Sequence, residues 1–173
     1  MINIAYIGLG SNLGDRAANL RRAAMALRAL LGPLRASRVY ETAPRLDLDQ
    51  PPFLNAVVEA RASFPPEALL NLLLGVEATL GRQRDLARPK GPRVIDLDLL
   101  LYGDHLQQSD RLTLPHPGLA HRRFVLAPLR ELAPALAPPG LGATIDALWA
   151  RCDDDGDLRL CDAPLLDHTE VTP

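Results

Sequence analysis

The chain has 173 residues, 47% hydrophobic and 23% charged, with a formal net charge of −2. That suits one domain with its own core and is too apolar for a disordered chain. No apolar run approaches the ~18–20 residues that cross a bilayer, no basic leader precedes the strand-like start, and Cys152 and Cys161 belong to no disulfide framework, CxxC or HExxH pattern; a cytoplasmic protein is expected.

Eighteen of the 19 basic residues are Arg, and the single Lys is Lys90. It stands in Pro89-Lys90-Gly91-Pro92, which excludes the G-x-x-x-x-G-K-[ST] phosphate loop. Residues 151–173 hold seven acids and two Arg, a net −5, so residues 1–150 are about +3 by difference. Arg82, Arg84, Arg88, Lys90 and Arg93 crowd into twelve positions opposed only by Asp85. A focused positive patch on a mildly acidic chain points to a compact anionic ligand rather than a long polyanion.

In chain order, the apolar run 2–8 predicts a buried strand, and Gly8-Leu9-Gly10-Ser11-Asn12-Leu13-Gly14-Asp15 a turn. Asp15 then caps a helix whose inner face is Leu20, Ala24, Leu27 and Leu31, stopped at Gly32-Pro33. Residues 34–42 and 53–63 read as strands, joined by a Pro- and Asp-rich loop at 43–52 of functional length. Pro65-Pro66 opens a second helix, with Leu69, Leu70, Leu73, Val76 and Leu80 inward and Gly81 at its end. A second long loop, 82–92, leads to a strand at 93–102 and a hairpin around Gly103-Asp104. Six prolines from Pro115 to Pro139 then permit only short helices, the clearest at 143–150. The expected domain is 1–150, and the acidic extension 151–173 has neither periodicity nor an assignable role. The order β-α-β-β-α-β is the ferredoxin-like pattern, an α+β fold with a largely antiparallel sheet.

The strongest chemical signal is Gly91-Pro92-Arg93-Val94-Ile95-Asp96-Leu97-Asp98-Leu99-Leu100-Leu101. Strand side chains alternate, so Ile95, Leu97, Leu99 and Leu101 enter a core and Asp96 and Asp98 share the other face, with Cα atoms roughly 6.6–7 Å apart. Two carboxylates so placed can hold hard cations of the Mg²⁺ kind that clamp transferring phosphates. A plain solvated strand face is the competing reading. The neighbouring Arg82, Arg84 and Arg93 favour a polyphosphate site, because guanidinium forks grip phosphate oxygens. A nucleic-acid patch is disfavoured: no aromatic stands between Phe64 and Tyr102 to stack bases. Glu41-Thr42-Ala43-Pro44 and Gln50-Pro51-Pro52-Phe53-Leu54-Asn55 combine a ring, an amide and a loop edge suited to a planar heterocycle, although a core Phe and a turn Asn would account for the same residues. Arg111, His116 and Arg122 can extend an anion site, and His116 alone reads equally as a structural histidine.

YIGLGSNLGDR at 6–16, YETAP at 40–44, QPPFLNAV at 50–57, GRQR at 81–84, GPRVIDLDLLLYG at 91–103 and LTLPHP at 112–117 together resemble the 6-hydroxymethyl-7,8-dihydropterin pyrophosphokinase family of folate biosynthesis, over about residues 2–135. The resemblance implies a three-layer ferredoxin-like fold with helices on both faces of the sheet. It implies ATP as donor, two Mg²⁺ ions, and a dihydropterin acceptor whose hydroxymethyl oxygen attacks the β-phosphorus and releases AMP. By the same resemblance Asp96 and Asp98 are magnesium ligands, and Arg82 and Arg93 contact phosphate. Glu77, Arg84, Arg111, Thr113, His116 and Arg122 surround ATP. Thr42, Ala43, Phe53, Asn55 and Phe124 form the pterin pocket, with Phe53 and Phe124 sandwiching the ring. The sequence departs from the family's common pattern at Lys90, where an aromatic residue often precedes the GPR triplet, at Ala43 in place of Pro, and in a loop 82–92 one residue longer. The expected protein is a monomer that binds small molecules and neither nucleic acid nor membrane. The alternative is a catalytically weakened paralogue that binds nucleotide or pterin.

Overall fold

The computed structural model describes residues 1–44, 49–83, 88 and 91–166. One sheet carries strands β1 (Asn3–Ser11), β2 (Leu34–Ala36), β3 (Val39–Thr42), β4 (Phe53–Ala62), β5 (Asp96–Tyr102) and β8 (Leu158–Cys161). Its order is β5-β1-β4-β3-β8, with β2 also paired to β4, and every pairing is antiparallel. Counting β2 and β3 as one interrupted strand, the first four strands follow the ferredoxin-like order. A separate two-stranded ribbon joins β6 (Gln107–Gln108) to β7 (Thr113–Leu114).

Helices α1 (Arg16–Leu31) and α2 (Pro66–Thr79) cover one face. Leu20, Ala24 and Leu27 of α1 and Leu69, Leu73 and Val76 of α2 pack on Ile7, Leu9, Val58, Leu97 and Leu99. Asp15 caps α1 as expected, its carboxylate accepting from the Ala18 N–H at 2.9 Å. Helices α3 (Arg123–Leu132) and α4 (Ile145–Ala150) cover part of the other face, where Val125, Leu126, Leu129, Ile145 and Leu148 bury Tyr6, Val57, Leu100 and Leu101. The sheet is the middle of three layers, and one of its faces is half core and half open.

Several expectations need correction. Strand β1 runs through the Gly8-Leu9-Gly10-Ser11 stretch expected to turn, because it is central and paired on both sides, and ladder bonds outweigh glycine's poor strand propensity. Residues 34–42 break into two strands at Ser37–Arg38, where Ser37 Oγ accepts from the Val57 N–H at 2.9 Å. Strand β5 begins at Asp96, not at residue 93. Its strict alternation ends at a β-bulge: Leu99 opposes Ile7 and Leu101 opposes Tyr6, leaving Leu100 unmatched. Leu101 therefore joins Leu100 beneath α3, away from Leu97 and Leu99. The short helix expected at 143–150 is α4, whereas α3, which contains Pro128, is a longer helix that the prolines did not announce. Leu158–Cys161, inside the stretch without periodicity, pairs with β3. Replacing Asp15 by Ala removes one cap bond and should cost about 1 kcal/mol, lowering Tm by about 2–4 °C for a chain of this size; an unchanged thermal melt would contradict the capping role.

Candidate active site

The open half-face is built by register. Strand β1 lies between β4 and β5, with Gly10 opposite both Asn55 and Asp96, and Gly8 opposite both Val57 and Asp98. Directly opposed residues share a face, so Asp96 and Asp98 project beside two positions that have no side chain. A Cβ on Gly10 would sit 3.4 Å from Asn55 Oδ1 and 3.8 Å from Asp96 Cβ, in the space between the two polar groups.

Both oxygens of the Asp96 carboxylate are engaged. Arg82 Nη1 donates to Oδ1, and Arg93 Nη1 lies 3.0 Å from Oδ2. The same Arg82 nitrogen donates to Glu77 Oε1. Glu77 is 2% exposed, near the end of α2, and also accepts from the Leu97 N–H at 2.7 Å, which fixes α2 to β5. Burial acts against the Arg82 charge, but Asp96 and Glu77 outweigh it and hold the guanidinium above its ordinary pKa. The Arg93 guanidinium lies 5.3 Å from the Phe53 ring centre, and its buried Nε has no hydrogen-bond partner among the described residues. An orphaned buried guanidinium donor suits an anion arriving from outside.

Asp98 is part-buried. Burial, then the charges of Asp96 and Glu77, push its carboxyl from an ordinary 3.8 up to about 7, against the opposing pull of Arg93 and Arg122. Among the described residues no group of three or more His, Cys, Asp or Glu side chains gathers as a metal cage. Asp96 and Asp98 are thus a two-carboxylate oxygen donor set, of the kind that holds a hard cation together with substrate phosphates and water.

On the other side of Gly10, Asn55 Nδ2 donates to Thr42 Oγ1 at 2.8 Å, and both side chains are buried. Phe53 opposes Thr42 across β3 and β4. Thr42 and Ala43 share with Phe124 the wall of a cavity of about 230 Å³, which Phe53 does not line. The two expected sandwich rings therefore do not enclose this cavity together. Each has its own arginine, Arg93 at Phe53 and Arg122 at 5.8 Å from the Phe124 ring centre.

The remaining expected residues are spread along β5 and α2. The His116 N–H donates to the Leu100 carbonyl at 2.9 Å. His116 Nδ1 accepts from the Gly118 N–H at 3.0 Å, which assigns the proton of the neutral ring to Nε2. Gly118 makes room for Arg122: a Cβ there would lie 2.7 Å from the guanidinium. Thr113 is part-buried in β7. Arg111 donates to Asn71 Oδ1 at 2.7 Å, six residues or about 9 Å along α2 from Glu77. Arg84 and Lys90 lie outside the described residues.

Residues 6–134 match the family described as 7,8-dihydro-6-hydroxymethylpterin-pyrophosphokinase, HPPK. The chain belongs to the HPPK family. It is 44% identical over 154 residues to 2-amino-4-hydroxy-6-hydroxymethyldihydropteridine pyrophosphokinase of Methylorubrum extorquens, a match that covers 88% of this chain and 95% of that protein. It is 42% identical over 153 residues to the Bacillus subtilis protein of the same name, covering 87% and 90%. The HPPK-DHPS of Plasmodium falciparum solved with pteroate superposes with a TM-score of 0.70 at 16% identity over 87% of this chain, which spans 44% of that structure. At that identity the likeness carries the HPPK fold alone.

Residue-type patterns did not disclose Asn12. Its side chain is 1% exposed and fully engaged: Oδ1 accepts from the Arg93 N–H at 2.7 Å, and Nδ2 donates to Gln50 Oε1 at 2.8 Å and to the Pro51 carbonyl at 3.1 Å. Asn12 thus joins the end of β1 to both loops, while Arg88 Nη2 reaches the Asp49 carbonyl at 3.4 Å. An Asn in a Gly-rich stretch reads as a turn former, and nothing local announces partners 38 and 81 residues away.

The raised Asp98 carboxyl has a sign-definite consequence. Between its ordinary 3.8 and about 7 the folded chain keeps a proton that the unfolded chain has lost. The resulting stabilisation is complete below that window and is lost as pH rises through 7. Without divalent metal, wild type should therefore lose stability relative to Asp98→Asn between about pH 4 and about pH 7. Denaturant titration of both proteins across that range reads the difference, and a constant gap would contradict it.

Proposed function

We propose that this chain transfers pyrophosphate from ATP to the hydroxymethyl oxygen of 6-hydroxymethyl-7,8-dihydropterin and releases AMP, a step of folate biosynthesis. The observation that carries the reading is the half-open face, where the Asp96–Asp98 pair stands beside Arg82 and Arg93 and across Gly10 from the Thr42–Asn55 pair. Donor and acceptor sites are thereby neighbours across one strand. In the transfer, the hydroxymethyl oxygen bonds to the β-phosphorus, the bond from that phosphorus to the α-bridging oxygen breaks, and the hydroxyl proton is lost.

Phosphoryl transfer is mostly positioning and charge stabilisation. Asp96 and Asp98 would hold the divalent cations, two Mg²⁺ in this reading, which when bound supply Lewis acidity to the phosphate oxygens. ATP brings a charge of about −4, two Mg²⁺ with two carboxylates leave about +2, and Arg82 with Arg93 completes the balance. Both arginines meet the part-buried Asp96 carboxylate, and from there their guanidinium groups would reach phosphate oxygens of a bound metal nucleotide. Arg84, Arg111, Thr113, His116 and Arg122 would complete the nucleotide side, with His116 donating from Nε2. Phe53 and Phe124 would cover the pterin, Asn55 would read its polar edge, and Ala43 would contribute backbone groups.

The reading takes the protein as a cytoplasmic monomer that needs neither nucleic acid nor membrane. Among the described residues no helix is long and apolar enough to cross a membrane. No contact among them favours the weakened-paralogue alternative.

Purified chain with Mg-ATP should form AMP only when the dihydropterin is present; ADP instead, or AMP without pterin, would sink the assignment. Asp96→Ala and Asp98→Ala should each lower kcat by roughly 10³-fold, about 4 kcal/mol, with the fold retained. Loss of folding without a specific rate effect would remove both from the metal site. Phe53→Ala should raise KM for the pterin more than KM for ATP in steady-state kinetics, and the reverse would misplace the acceptor pocket.

A further inference from the structure

We infer that the C-terminal segment around Asp154 is a wall of the acceptor pocket, and that Asp154 is a positioning residue that holds Phe124 through the backbone of Arg123. The inference rests on the acceptor reading above and gives the start of the acidic extension a role.

Helix α3 starts beside the pocket without a cap of its own. Its N-cap, Arg122, has extended backbone and makes no side-chain cap bond. The Val125 and Leu126 N–H groups turn back to the Arg122 carbonyl, at 3.0 Å each. The first helical N–H, that of Arg123, goes instead to Asp154 Oδ2 at 2.9 Å, 31 residues away. A carboxylate at this end of a helix satisfies an orphan donor and meets the positive end of the dipole.

Asp154 is itself held. It is 5% exposed, and its other oxygen accepts from the Gly156 N–H at 2.9 Å, which folds the segment back on itself. Two residues on, β8 starts with Leu158 opposite Thr42. The cavity of about 230 Å³ lies between these anchors, with Thr42, Ala43 and Phe124 facing Asp154, Gly156 and Leu158. One side of the pocket is therefore made from chain that carries none of the proposed reacting groups.

The constraint falls on Phe124 more than on its nucleotide-side neighbour. The Arg122 guanidinium is independently seated against Gly118. Arg123 also lines the cavity, and its guanidinium lies 4.9 Å from the Trp149 ring centre of α4. Phe124, next in the chain, takes its backbone position from the Arg123–Asp154 bond.

The test compares wild type, Asp154→Ala and Asp154→Asn in the full chain, by fluorescence titration with the dihydropterin and with a non-hydrolysable ATP analogue. Asp154→Ala should weaken pterin binding about five- to tenfold, the loss of one helix cap, and change analogue affinity by less than about twofold. Asp154→Asn keeps an acceptor oxygen and should recover most of the loss. Amide hydrogen exchange at Arg123 and Phe124 should quicken in Ala and not in Asn. If Asp154→Ala does not fold, Asp154→Ser, too short to span both N–H groups, takes its place. Unchanged pterin affinity in Ala, or equal losses for pterin and nucleotide, would overturn the assignment. A wild type that forms no pterin-dependent AMP would instead fell the acceptor reading, while the exchange measurement still reports the Asp154–Arg123 bond.

Discussion

Strand β1 presents bare backbone at Gly8 and Gly10, flanked by β5 on one side and β4 on the other. Every other feature of the site depends on that gap. A side chain at position 10 would enter the floor between Asp96 and Asn55, and one at position 8 would press on Leu100. Two glycines in a central strand cost intrinsic strand propensity, and pairing on both edges offsets it. The same pairing fixes register, because a slip of one residue would turn Asp96 and Asp98 into the apolar layer under α2.

Around that floor the charges are arranged so that no acid stands unopposed. Asp96 is gripped by two arginines, and Glu77 is tied to Arg82 and to the Leu97 amide. The Asp98 carboxyl pKa is raised first by burial and then by the charges of Asp96 and Glu77, which the pull of Arg93 and Arg122 does not offset. The assembly is a set of linked pairs in which Asp96 and Glu77 share the Arg82 guanidinium and Asp96 also meets Arg93. Partial burial matters here: in open water the same pairs would contribute little.

What the sequence disclosed was local. Asp15 at a helix start, the inward faces of α1 and α2, and the shared face of Asp96 and Asp98 follow from periodicities of 3.6 and 2 that act over a few residues. The strand order was legible because alternating strands and helices admit few topologies. What stayed hidden was set by contacts distant in sequence. The Gly8–Ser11 stretch is a strand only because β4 and β5 flank it, Leu101 changes face only because of the bulge at Leu100, and Asn12 and Asp154 act through partners many residues away. Composition suggested a charged tail after residue 150, whereas β8 is stitched to β3 by a ladder in which Leu160 and Arg159 face solvent and only backbone is required.

The bulge also makes β5 unequal along its length toward insertions and deletions. Leu100 has no partner across the ladder, so a chain lacking that one residue would keep the Asp pair, Leu99, Leu101 and Tyr102 on their present faces and would lose only the packing of a single leucine. A deletion at Leu97 is a different event: it would turn Asp98 inward beneath α2 and dismantle the site and the core together. Among natural length variants of this strand, gaps should therefore collect at the bulge and avoid the three residues from Asp96 to Asp98.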